Sequence, residues 1–122
     1  MTHPVLQNLP MHALESELKT SKESMEDALG YKITGFAYPY AFPQENRSFS
    51  KVLADRLREF GYETCVTTIV GRIHAADDRL RLKRLPVNSC DDRELFLAKL
   101  RGCYDWVGSA QRAVRHVKQL YK

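Results

Sequence analysis

The chain of 122 residues is predicted to fold in the α/β class, as a mostly parallel sheet with helices packed outside it. Two observations carry this expectation. Residues 32–38 and 64–70 are short β-rich segments, and between them Phe49, Val52, Leu53, Leu57 and Phe60 recur at helical spacing. Strand, helix, strand within this length is a βαβ unit, which implies parallel strands and a right-handed crossover. A further helical stripe at each end of the chain supplies the outer layer.

Each element has its own local reason. Pro10 suits the first turn of a helix, where its missing N–H costs little, and Leu14, Leu18, Met25 and Leu29 form one buried stripe that Gly30 stops. Glu15 and Lys19 form an i,i+4 pair on the outer face of that helix. The strand at 32–38 enters Pro39, and with Pro43 makes a rigid loop, because proline fixes φ and has no donor. Ser48 is the expected cap of the second helix and Gly61 its end. The run from Thr64 to Val70 reads as a buried strand. A polar loop from Gly71 leads to a short strand within Leu80–Val87, ended by Pro86. Asp91 and Asp92 start a third helix, where acidic side chains favour the positive end of the macrodipole. Its apolar face includes Leu95, Phe96 and Leu100, and Gly102 stops it. The last helix, about 105–120, carries Trp106, Ala110, Ala113, Val114, Val117 and Leu120 on one face, which is expected to cover the outside of the sheet.

Composition narrows the class. Hydrophobic content of 43% and charged content of 28% are those of an ordinary globular chain, and the length suits one domain, residues 1–122. No apolar run approaches the ~20 residues needed to span a bilayer, and the N-terminus lacks a signal-peptide layout, so the cytoplasm is the default compartment. Cys65, Cys90 and Cys103 form no Cys-x-x-Cys pair and read as buried or partly buried free thiols. The net charge of +4 is uneven: residues 1–61 sum to −1 and residues 62–122 to +5. The basic tail reads first as a solvated helix face and second as an anion-attracting surface, with no specific nucleic-acid signal. Gly-x-Ser-x-Gly, P-loop and Gly-x-Gly-x-x-Gly motifs are all absent.

Two segments carry a resemblance. Met1-Thr2-His3-Pro4 reads as the second half of a metal-binding His-(Ser/Thr)-x-x-His-Pro motif, and Phe36-Ala37-Tyr38-Pro39-Tyr40 follows downstream. With the order and spacing of the elements between them, the chain resembles the polysaccharide deacetylase (NodB homology) family of carbohydrate esterases. The stretch from Thr67 to the Arg84-Leu85-Pro86-Val87 region and the terminal Tyr104-Asp105-Trp106 resemble a bacterial subgroup of these proteins. The resemblance implies a partial, distorted (β/α) barrel, with this chain as its C-terminal portion. It implies hydrolysis of acetyl groups on a carbohydrate, with a divalent metal, usually zinc, polarising the carbonyl and activating water.

The same resemblance assigns candidate residues. His3 stands as the metal ligand. Tyr40 stands where a tyrosine backbone N–H helps stabilise the oxyanion, while Ala37 replaces the family's arginine and Ala41 its glycine. The family's Leu-x-x-His is replaced by Leu82-Lys83-Arg84-Leu85-Pro86, so His74 is the candidate proton donor, oriented by Asp77 or Asp78. An aromatic-proline turn at Tyr40 and a solvated loop at His74 are the alternative readings. The first metal histidine and the Asp-Asp motif would lie upstream of Met1, so the chain is expected to be truncated and weakly active or inactive as a hydrolase. The rival is a non-catalytic interaction module that self-associates through an exposed sheet edge or binds an anionic partner through its basic tail. For a complete protein of this family the cell envelope is the other compartment.

Overall fold

The computed structural model describes residues 4–120, with the backbone alone at 115, 116 and 118–120. Its elements are α1 (Met11–Leu29), β1 (Gly35–Ala37), α2 (Arg47–Glu59), β2 (Thr64–Val70), β3 (Leu82–Arg84), α3 (Arg93–Leu100) and α4 (Asp105–Leu120), with short 3-10 turns at Leu6–Asn8 and Arg79–Arg81. The strands lie in the order β1-β2-β3 and both pairings are parallel, as the βαβ reading requires. Among the described residues the sheet is open, with β1 and β3 as its two edges. No helix of the described residues is long and apolar enough to cross a membrane.

The core follows from β2. Along Thr64–Val70 burial alternates residue by residue, so Cys65, Thr67 and Ile69 point into the core and their neighbours do not. Leu14 and Leu18 of α1 and Leu53 and Leu57 of α2 join them, with Leu6, Tyr38, Phe42, Tyr62 and Leu80. The Tyr62 hydroxyl donates to the Leu18 carbonyl at 3.1 Å, and its ring meets Phe36 edge-on at 5.5 Å.

One helix start and one helix face differ from the sequence reading. The cap of α2 is Asn46, whose side chain accepts from the Phe49 N–H at 2.9 Å; Ser48 already lies inside the helix. In α1 the stripe stops being buried after Leu18: Met25 and Leu29 are exposed. The second half of α1 is held by polar groups instead. Glu26 accepts from the Ile33 N–H at 2.8 Å, and Lys22, paired to Glu26 at 2.9 Å, donates to the Ile33 carbonyl. Glu15 pairs with Arg56 at 2.9 Å rather than with Lys19, which pairs with Glu23.

The two C-terminal helices also turn differently. Phe96 and Leu100 of α3 are exposed, while Lys99 is buried, paired with Asp91 and donating to the Pro86 carbonyl at 2.8 Å. On α4 the apolar stripe faces solvent, with Trp106 at 68% exposure and Val114 and Val117 also exposed. Gly108 and Gln111 face the sheet instead. At Gly108 the Val70 carbonyl would lie 2.3 Å from an added Cβ, so only glycine permits this approach. The end of β2 presents unpaired backbone groups, and these need an amide rather than an apolar side chain.

That need is local and explicit. Val66 pairs with Leu82 and Val70 with Arg84, so β2 spends four residues where β3 spends two. The Thr67 hydroxyl fills the gap: it donates to the Leu82 carbonyl at 2.9 Å and accepts from the Ile69 N–H at 3.2 Å. Removing it leaves a buried donor and a buried acceptor unpaired, each costing about 1–3 kcal/mol. Thr67→Val is therefore expected to lower the unfolding free energy by at least about 1 kcal/mol in urea titrations. A change within about 0.5 kcal/mol would mean the hydroxyl does not serve the ladder.

Candidate functional site

The C-terminal end of β2 is where a parallel sheet places its functional loops, and three segments meet there. The first is the loop after β1. The Tyr38 N–H still bonds the Val66 carbonyl at 2.9 Å, which carries the pairing one residue past the strand. The rings of Tyr38 and Phe42 are both buried and meet edge-on at 5.0 Å, and the Phe42 N–H donates to the Thr68 hydroxyl at 2.7 Å. Between these two anchors Tyr40 adopts a left-handed backbone, φ 56, the one non-glycine residue among those described to do so. The residue is 58% exposed. Its N–H donates to no acceptor among the described residues. A non-glycine residue held in this region costs about 1 kcal/mol or more, and the buried rings on either side impose it.

The second segment follows β2. Arg72 and Asp105 are joined by the Arg72 Nε at 2.9 Å, its Nη2 at 2.8 Å and its backbone N–H at 3.1 Å. These bonds from Arg72, the side-chain one first, hold the Asp105 carboxyl below the usual aspartate range. They also tie the start of α4 to the loop. His74 is exposed on this loop, and its partner Asp77 is engaged with the main chain: the His74 backbone N–H donates to Asp77 Oδ2 at 2.9 Å. That bond, with Lys83 alongside at 3.2 Å, pulls the Asp77 carboxyl down. Asp78 accepts from the Leu80 N–H at 3.0 Å. Neither carboxylate bonds the His74 imidazole, so the orienting role expected of them is replaced by loop capping. His74 shares a cleft of about 160 Å³ with Arg72, Lys83, Asp105, Gly108 and Arg112.

The third segment is α4. The Gln111 side chain accepts from the Val70 N–H and donates to the Thr68 carbonyl, both at 3.2 Å. Thr68 and Val70 present these groups on the same side of β2 as the Val66 carbonyl, which faces β1. Gln111 thus stands where β1 would have continued.

Of the predicted site residues, Tyr40 and His74 stand on different loops and no hydrogen bond joins them among the described residues. His3 lies outside the described residues. Among those described, no group of three or more His, Cys, Asp or Glu residues comes together to hold a metal ion, so the residues present do not form a fit for zinc. Of the thiols, Cys65 is buried and burial pushes it up to about 12, while Cys90 and Cys103 are exposed, which corrects the expectation that all would be at least partly covered. Sequence reasoning missed Arg72, Gln111 and Thr68. The one signal available was Asp105 at a helix start.

Comparison with solved structures places the fold. The chain superposes on a Streptococcus pyogenes deacetylase, PplD, in complex with acetate, with a TM-score of 0.69 and 23% sequence identity. The match covers 81% of this chain and 41% of that one, so the chain spans less than half the length of that deacetylase. No protein-family model and no curated protein sequence matches it. The chain therefore shares the fold of part of that deacetylase over most of its length.

The Arg72–Asp105 link sets a pH dependence. Because folding lowers the Asp105 pKa, its stabilisation is fully present above the ordinary value of 3.8 and is lost as pH falls through the lowered folded value. The stability gap between the native chain and Asp105→Asn is expected to stay constant from neutral pH to about 5 and to shrink below 3.8. Urea titrations at several pH values measure it, and a gap that does not change with pH would contradict the assignment.

Proposed function

We propose that the chain is a polysaccharide deacetylase-like domain of the NodB homology, carbohydrate esterase type, its open sheet an arc of a distorted (β/α) barrel. The parental reaction is hydrolysis of an acetyl group on a carbohydrate. The observation that carries this reading is Tyr40: an exposed residue whose backbone N–H has no acceptor among the described residues, on a loop fixed by two buried aromatic rings and by Thr68. Hydrolysis of an acetyl group passes through a tetrahedral oxyanion, and a preorganised N–H without an acceptor of its own is the kind of group that stabilises it. The fold shared with a deacetylase bound to acetate, the acyl product of such a hydrolysis, supports the same reading.

The remaining chemistry is incomplete in these residues. His74 is exposed and could hand a proton to a leaving group, but it has no carboxylate at its imidazole. The family's divalent metal, usually zinc, would polarise the acetyl carbonyl; no ligand set for it is assembled among the described residues. The Tyr40 N–H orients and stabilises, while no positioned base for proton transfer stands among the described residues. On this reading, turnover by these residues alone is weak or absent.

An acetylated chitooligosaccharide is the appropriate probe. It is expected to shift the amide resonances of Tyr40 and Phe42 in ¹⁵N spectra, while zinc-supplemented assays release acetate no faster than buffer. Shifts confined to other parts of the chain would contradict the site, and zinc-dependent acetate release would contradict the weak activity. The second reading, a self-associating module, rests on the exposed Trp106, Val114 and Val117 stripe of α4 and the open edge at β1. Light scattering that stays at 14.1 kDa as concentration rises would remove it.

A further inference from the structure

A second polar cavity, of about 300 Å³, lies between the residues after Phe42 and the Asp77–Lys83 segment, with Ile69 of β2 and Arg112 of α4 in its wall. Its other lining groups are Gln44, Glu45, Arg47, Asp78 and Arg81. The residue that singles it out is Gln44, which is 5% exposed and has no partner for either Nε2 or Oε1. A buried amide left in this state costs free energy, and in native proteins such groups are nearly always bonded to something. One carboxylate oxygen of Glu45 is buried without a partner as well.

The charges around the cavity are of both signs, and they are partly spoken for. Lys83 is paired with Asp77 at 3.2 Å, and Asp78 accepts from the Leu80 N–H. Arg81 donates to the Gln44 carbonyl at 3.3 Å and lies over the Phe42 ring at 5.6 Å, which aims it while leaving its charge unmatched. The side chains of Arg47 and Arg112 make no ion pair or hydrogen bond among the described residues. Three guanidiniums thus face Glu45 and Asp78 as the remaining carboxylates. The surplus fits a guest with one negative group better than a neutral guest or a polyanion.

We propose that this cavity binds a hydroxylated oxyanion: a sugar carrying one phosphate or one carboxylate. The planar, multiply donating guanidiniums of Arg47, Arg81 and Arg112 match an oxyanion, with the Gln44 amide as a neutral donor to the same group. The orphaned Glu45 oxygen matches an adjacent sugar hydroxyl, which donates to it. Neither Tyr40 nor His74 takes part, so the proposal stands apart from the deacetylase reading.

Calorimetric titration with glucose 6-phosphate and with glucuronate tests it, glucose serving as the neutral control. Saturable one-site binding of either anion is expected, and which of the two binds identifies phosphate or carboxylate as the group taken. Arg47→Gln and Arg112→Gln, at exposed side chains without structural bonds, should each weaken that binding about tenfold. Gln44→Leu should weaken binding while raising the thermal midpoint of the unliganded chain, because it removes the orphan amide. The proposal is overturned by no saturable binding of either anion, by equal binding of glucose, or by arginine variants that bind as the native chain does. A lowered midpoint in Gln44→Leu would show that the amide is partnered within the fold, and would overturn it too.

Discussion

The constraint on which the rest depends is that β2 outlasts both of its neighbours. β1 pairs with it only as far as Val66, and β3 accompanies its second half with two residues against four. A buried strand cannot leave its N–H and C=O groups unpaired, so the missing ladder must be supplied by side chains. Thr67 supplies it toward β3, and Gln111 supplies it on the side where β1 has ended. The Thr68 hydroxyl takes the Phe42 N–H at the same end. Because each of these bonds joins β2 to a different segment, one long strand fixes the Tyr38–Phe42 loop, the start of β3 and the position of α4 together.

This explains why α4 docks against its own apolar pattern. A helix normally turns its apolar stripe to the sheet. Here the surface offered by β2 is two backbone groups at its tip, and an amide at Gln111 beside a glycine at 108 answers them. The Arg72–Asp105 link holds the first turn of the helix in place. The apolar stripe is then left on the outer side, which is why the same helix both completes the sheet end and leaves a surface open to association.

How much of this was legible beforehand depends on the range of the interaction. Local rules served well: the run Thr64–Val70 is a strand at the expected residues, Gly61 and Gly102 follow their helices, and Asp92 caps α3. Periodicity failed where the partner surface runs out. Met25 and Leu29 keep the helical spacing of Leu14 and Leu18, yet lie past the core, and the polar pair Lys22–Glu26 does the docking there. At the candidate site the Pro39 and Pro43 pattern announced a rigid loop, and the stretch from Tyr38 to Phe42 is anchored at both ends. The acceptors that fix it, Thr68 and Val66, come from a strand 26 or more residues away, and no local pattern announces such bonds. The pairing of His74 with Asp77 was unreadable for the same reason: Asp77 is close in sequence but accepts from the loop's main chain.

Native-state hydrogen exchange at four amides measures the central claim directly. The Val70 N–H, bonded to Gln111, and the Phe42 N–H, bonded to Thr68, should exchange slowly, with the Tyr38 N–H bonded to Val66. The Tyr40 N–H, two residues from each anchor, should exchange rapidly. Slow exchange at Tyr40 would mean that its N–H is already satisfied and not on offer to an oxyanion. Fast exchange at Phe42 and Val70 would mean that side chains do not complete the end of β2, and the account would fail at its base.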